Sequence, residues 1–172
     1  MRALTAFLLS ATITLTATAH TVSHKSESER NDGGWSLLGH FGDGLIGLVS
    51  ARDRVDPEKL SKRALGEIKR ISGKLEVRED VSDQMASIHI KAVRSITGDA
   101  NLDTIENTLL LVEGTLTAKT IRDSIVIVKG PMKVRVVAGS ALASSGDIRA
   151  THVGGRDHAS LIMARGKFSG VA

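Results

Sequence analysis

Glycine recurs at a fixed interval in the second half of the chain, and this spacing constrains the fold more than any other feature. The anchor glycines Gly98, Gly114, Gly130 and Gly146 are evenly spaced at intervals of 16, and Gly166 follows at an interval of 20. The sequence GGRD at 154–157 accounts for the longer last step as an insertion between two units. A repeat of constant length indicates one structural unit that is laid down several times.

Within each unit, polarity alternates around the glycine. Positions two and four after it are apolar or small, whereas positions one and three are mostly polar, which is typical of a half-buried strand. A hydroxyl residue stands six positions before four of the glycines, as Thr108, Ser124, Ser140 and Ser160. We therefore predict a mainly β fold, a short parallel β-solenoid with 16-residue coils, preceded by an N-terminal helical cap. The hydroxyl column is expected to form a ladder that bonds neighbouring backbone.

An antiparallel sandwich or barrel is the alternative fold. In that fold, pairs such as Glu113-Gly114 and Lys129-Gly130 would be two-residue hairpin turns. Such turns favour Asn-Gly or Asp-Gly, and neither pair occurs at the anchors, so the solenoid is preferred.

The N-terminal third divides into regions of different composition. Residues 1–19 predict a signal peptide, since Arg2 precedes an apolar stretch and Ala-Thr-Ala precedes His20 as a cleavage pattern after Ala19. A retained membrane anchor is the alternative interpretation. Residues 20–34 are polar and charged, which predicts a disordered tether. The predicted location is secreted or periplasmic, with no transmembrane segment after signal cleavage.

Residues 35–72 predict a helical cap region, and residues 73–172 the solenoid domain. Apolar residues at helical spacing in 35–49 indicate either a loose helix over the core or a segment that touches a membrane surface. Asp56 and Pro57 are typical of a helix start. The predicted helix runs to about residue 70 and ends at Gly73. Its apolar face is expected to consist of Leu60, Ala64, Ile68 and Ile71.

Composition argues against several classes of function. The chain has no cysteine, so neither disulfides nor thiolate chemistry is available. Aromatic residues make up only 2% of the chain, which argues against base-stacking platforms and nucleic-acid binding. The six histidines show no metal-ligand spacing, and His152, Asp157 and His158 are the nearest approach to a polar cluster. No nucleophile motif is present. We therefore expect no enzyme activity, no catalytic residues, no metal and no cofactor.

Two candidate interaction surfaces follow from the repeat. The first is a second apolar stripe, which either is covered by the predicted helix or serves self-association; it comprises Leu109, Leu111, Ile125, Ile127, Leu161 and Met163. The second is a basic ladder on the polar face, formed by Lys119, Lys133, Arg135 and Arg149. Such a ladder would hold an anionic envelope or matrix polymer by charge attraction.

The last repeat unit ends without a helix or polar cap, which would leave unpaired backbone groups as a template for another chain. In passages such as VEGTLTAKTI and VKGPMKVRVV, the units from Gly98 onward resemble bactofilin-like polymer-forming proteins. This resemblance implies a scaffold role. The expected function is therefore an exported structural or scaffold protein that forms a homo-oligomer or polymer, and the alternative is a monomeric binding module that uses the basic ladder.

Overall fold

The structure is a computed structural model, and it describes residues 19–23, 44–74, 79–154 and 158–171. Three helices precede a β-solenoid in this part of the chain. They are α1 (44–51), α2 (Pro57–Lys74) and α3 (Glu79–Ala86). The predicted helix in 35–49 is thus seen from residue 44 onward, and its earlier part lies outside the described residues.

Helix α2 begins where the sequence predicts. The Asp56 carboxylate accepts hydrogen bonds from the backbone N–H groups of Glu58 (2.9 Å) and Lys59 (3.4 Å), as an N-cap does. The helix continues to Lys74, past the predicted end at Gly73. Burial of Ile71 against the strands explains the additional turn, since packing outweighs the low helix propensity of one glycine.

The solenoid has five coils, and each contains one strand from each of two parallel sheets. Coil by coil, the strands are β2 (Ala92–Ile96) and β3 (Ala100–Glu106), β4 (Thr108–Val112) and β5 (Leu116–Arg122), β6 (Ile125–Val128) and β7 (Met132–Ala138), β8 (Ala141–Ser144) and β9 (Ile148–Val153), and β10 (Ser160–Ala164) and β11 (Phe168–Ser169). Coil 1 therefore begins at Ala92, and residues 79–86 of the region assigned to the solenoid domain form α3 instead.

The register of the sheets follows the predicted repeat, because each residue pairs with the residue at the same position of the next repeat. Leu110 pairs with Val126, which occupies the same position of the next repeat. Leu142 pairs with Ile162 in the same way, across the unit that contains the insertion. All pairings are parallel, which confirms the β-solenoid and the predicted coil length. The sheet of even-numbered strands is called the inner sheet below, because the helices cover it, and the sheet of odd-numbered strands from β3 to β11 is called the outer sheet.

Coils 2 to 4 each have three buried positions in the outer-sheet strand. In β5, Leu116, Ala118 and Ile121 point inward, so the alternation shifts by one residue between Ala118 and Ile121. The same shift occurs in β7. The strand bends there, and a third apolar column, at the seventh position after the glycine, completes the core inside the coils; its members are Ile105, Ile121, Val137 and Val153.

The hydroxyl column forms the predicted ladder. The Ser124 hydroxyl donates to the carbonyl oxygen of Arg122 (2.6 Å) and accepts from the backbone N–H of Thr108 (3.1 Å). Ser140 repeats both bonds one coil later, donating to Ala138 and accepting from the N–H of Ser124. The ladder therefore satisfies backbone donors where the strands turn and sheet pairing is interrupted.

Close stacking of the coils explains the glycine at the anchors of coils 2 to 5. A Cβ atom at Gly130 would lie 2.6 Å from the carbonyl oxygen of Gly114 in the preceding coil. At Gly98, in coil 1, a Cβ atom would meet nothing within 4 Å. The glycine column thus contacts the preceding coil from coil 2 to coil 5 and is open at coil 1, where the φ of 91° at Gly98 favours glycine instead.

A further strand, β1 (Ala19–Ser23), pairs with β10 in parallel, from Ala19 opposite Ser160 to Ser23 opposite Ala164. It extends the inner sheet by one rung beyond coil 5. From the sequence, these residues were predicted as the cleavage point and the start of the tether, and their polar pattern gave no indication of a strand.

Candidate functional site: the basic face and the open edges

The four cations of the basic ladder lie together on the solvent face of the outer sheet. Lys133 stands between Thr117 and Arg149 on adjacent rungs of β5, β7 and β9. Lys119 and Arg135 occupy the next outward position of β5 and β7. All four side chains are exposed. With rungs about 4.8 Å apart, the structure brings these cations onto one flat face, here called the basic face.

Charge on this face is only partly balanced. Lys119 lies 2.8 Å from the carboxylate of Asp103 in coil 1, and both side chains are more than two thirds exposed, so the pair contributes little to stability. For Lys133, Arg135 and Arg149, no carboxylate partner is present among the described residues. Three cations on neighbouring rungs therefore remain available to an anionic ligand.

The helices cover the apolar stripe, which is the first of the two alternatives that the sequence left open. Its six residues are at most 5% exposed, and they pack in one core with the Leu60–Ile71 face of α2, with α1 and with Met85 of α3. The helices therefore pack on the stripe, and the stripe is not available for self-association in this arrangement. Helical periodicity in the sequence contained the information needed to choose this cover.

A charged cluster fastens the helical cap to one corner of the coils. Nη1 of Arg52 lies 2.7 Å from the Glu113 carboxylate and donates to the carbonyl oxygen of Val49, while Nη2 donates to the Thr97 hydroxyl. The Glu113 carboxylate also lies 3.4 Å from Nζ of Lys129. The hydrogen bond from Arg52 lowers the pKa of Glu113. Arg52 was not predicted, because no local pattern links it to a residue so far along the chain.

Both ends of the stack present strand edges. Within the described ranges, no strand pairs with the outer edges of β2 and β3 in coil 1 or with that of β11 in coil 5. The backbone N–H of Ala100 donates to Thr115 of the next coil (2.8 Å), so the groups of Asn101 point the other way, to the open edge. These edges offer hydrogen-bond donors and acceptors in the same geometry that joins the interior coils.

The histidines noted in the sequence do not form a site among the residues that the structure describes. His152 and His158 are exposed, and Asp157 lies outside the described residues. The described part of the chain contains no group of three His, Asp or Glu side chains that could hold a metal ion.

None of the helices in the described ranges is both long enough and apolar enough to cross a membrane. Comparison of the chain with protein families, with curated proteins and with solved structures gives no match.

Proposed function

We propose that the protein is an exported structural or scaffold protein that self-associates end to end through its solenoid. One observation carries this proposal: coil 1 leaves both of its strand edges, β2 and β3, without a partner in the described residues, although every interior edge of the same geometry is paired. Open edges of this kind are templates for another strand. The scaffold role that bactofilin-like proteins imply agrees with this proposal, which includes no catalytic activity.

End-to-end association would continue the solenoid across two molecules. Strands of the outer sheet share one register. The open edge of β3 therefore has the same geometry as the edge of β5 that pairs with β3. The open position at Gly98 would receive the glycine region of a neighbouring coil 5, as Gly130 receives Gly114 inside the molecule. Backbone pairing and apolar contact are not screened by salt, so assembly should persist at high ionic strength.

The test is a concentration series of the full chain, followed by light scattering and negative-stain electron microscopy at low and high salt. The variant Asn101→Pro removes an N–H from the open edge of β3 and leaves the pairing of β3 with β5 intact. Asn101→Thr is the matched control, since it changes the side chain and keeps the N–H. Salt-resistant assembly that Asn101→Pro alone abolishes would support the proposal. Assembly that Asn101→Pro leaves unchanged would refute it.

A second candidate function is that of a monomeric module that binds an anionic envelope or matrix polymer. The observation in its favour is the basic face, on which Lys133, Arg135 and Arg149 have no described acidic partner. Charge attraction to a polyanion should weaken as salt rises, because the screening length is about 8–10 Å near 0.1–0.15 M.

Binding to an immobilised acidic polysaccharide would test this second function. Replacing Lys133, Arg135 and Arg149 together with glutamine should abolish binding. As the matched control, three exposed cations of α2 are replaced in the same way, which changes the net charge equally on another surface; they are Lys59, Arg63 and Lys69. Equal loss in both triple variants would mean that net charge, and not the basic face, governs the attachment.

A further inference from the structure

Strand β1 occupies the place that another coil would take. It pairs with β10 along its whole length on the side opposite β8, one rung beyond coil 5. The outer sheet has no corresponding rung, because β11 pairs only with β9 among the described strands. The stack therefore ends in a half coil, closed on the inner sheet and open on the outer sheet.

The chain connection of β1 differs from that of every other rung. Interior strands are joined to the next strand by short turns within the solenoid, whereas most of the chain separates β1 from β10. The residues that follow β1, 24–43, lie outside the described ranges. Loss of β1 from β10 would break no coil. It is also an edge strand with a single neighbour, and such strands have the least pairing to hold them.

The edge of β10 under β1 is the edge that end-to-end association requires. If coil 1 of a second copy continued the stack, its β2 would pair with β10 and its β3 with β11. In that arrangement Lys167 of coil 5 would stand beside Asp99 of the copy, since both directly follow an anchor glycine, and both are exposed. With β1 in place, β2 of the copy is displaced by one rung, so that β3 no longer meets β11.

We infer that β1 is a removable cap, which competes with coil 1 of a second copy for the β10 edge and so limits end-to-end association. This inference rests on the proposed scaffold function and adds its regulation. Release of β1 exposes the edge of β10 beside the edge of β11, which is already open, and a complete coil edge then meets a complete coil edge.

Two single substitutions separate the role of β1 from general damage. The N–H of Leu161 donates to the carbonyl oxygen of Ser140 in the preceding coil. His20 lies opposite Leu161 in β1, so its N–H points to β10 in the same way. The N–H of Val22 therefore also points to β10, and that of Thr21 points away from it. Val22→Pro should therefore release β1. Thr21→Pro is the matched control, because proline is tolerated where the N–H faces away from the partner strand.

A disulfide can hold β1 in place. Ser23 pairs with Ala164, and adjacent strands lie about 4.8 Å apart, within the Cα separation of roughly 4.4–6.8 Å that a disulfide spans. The chain has no cysteine of its own, so in the double variant Ser23→Cys/Ala164→Cys no native thiol competes with the designed pair.

The experiment measures assembly of the full chain by light scattering against protein concentration. Val22→Pro should lower the concentration at which assembly begins by about tenfold, equivalent to ~1.4 kcal/mol. Thr21→Pro should not lower it. The oxidised double variant should stay monomeric, and reductant should restore assembly.

The outcomes distinguish the cap from the scaffold function. If wild type, Val22→Pro and the oxidised double variant all assemble alike, the cap is refuted and end-to-end association stands. If Val22→Pro stays monomeric at every concentration, both proposals fail. A disulfide that forms between chains would also overturn the cap, because β1 would then belong to a neighbouring molecule.

Discussion

Substitution of Gly130 by alanine tests the close stacking of the coils. The added Cβ would lie 2.6 Å from the carbonyl oxygen and 2.9 Å from the carbonyl carbon of Gly114, and both are backbone atoms that cannot turn aside. An ordinary contact needs at least 3.4 Å, so the two rungs must separate locally by several tenths of an ångström. Overpacking of this kind typically costs about 1–3 kcal/mol of unfolding free energy.

Gly66 provides a control with the opposite sign. It lies within α2, and a Cβ atom there would meet nothing within 4 Å. Gly66→Ala should therefore stabilise the protein by about 0.5–1 kcal/mol, since alanine is the better helix former. Urea unfolding followed by circular dichroism gives both values. Equal effects of the two substitutions, or a stabilised Gly130→Ala, would refute the stacking argument.

Three further substitutions test other parts of the fold. Ser124→Ala leaves the buried N–H of Thr108 without its partner and should cost about 1–3 kcal/mol, whereas the exposed Thr117→Ala should change the unfolding free energy by less than about 0.5 kcal/mol in the same urea assay. Ile68→Ala should cost about 2–5 kcal/mol, because Ile68 is fully buried between α2 and the apolar stripe; a smaller loss would mean that the helices pack loosely. For Glu113, a folded-state pKa below the ordinary value of about 4.3 means that its ion pair stabilises the fold above that pH and is lost as the pH falls through the lowered pKa. Urea unfolding at several pH values should therefore show wild type more stable than Glu113→Gln near pH 6, with a gap that narrows in acid; a gap independent of pH would contradict the ion pair.

The repeat was predictable from the sequence because the anchor glycine and the hydroxyl residue recur at fixed positions. Their spacing led to the parallel register and to the Ser/Thr ladder, and the helical spacing of Leu60, Ala64, Ile68 and Ile71 led to one of the two possible covers for the apolar stripe. These features are periodic, and residues at the same position of successive repeats lie next to each other in a stack of coils.

Other features were missed for identifiable reasons. The bend in each outer-sheet strand shifts the inward positions by one residue, and strict alternation ends before the column that contains Ile121. A neighbouring column of left-handed turns was also overlooked: Asn107, Asp123 and Gly139 have φ values of 48°, 44° and 57°. These residue types tolerate that conformation, so the column was readable in principle.

Long-range partners could not be predicted. Arg52 meets Glu113, and Gln84 accepts a hydrogen bond from the backbone N–H of Ala159 (2.8 Å), across separations with no periodic signature. The pairing of β1 with β10 is of the same kind. The basic face, by contrast, was predicted residue by residue, because side chains at one repeat position lie on one surface.

The helical cover also fixes how many coils this architecture can use. Helix α2 begins beside the strand of coil 1, where Pro57 and Ser61 line a groove with Ile90 and Val93, and α3, which follows it, contacts β10. The buried face of α2 from Leu60 to Ile71 is about 17 Å long at about 1.5 Å per residue. The four steps from β2 to β10 cover about 19 Å. The length of the helix thus matches the height of the stack of coils. Duplication of one repeat unit would add one more rung of apolar side chains to the inner sheet, and the helical cover would have to lengthen to bury it.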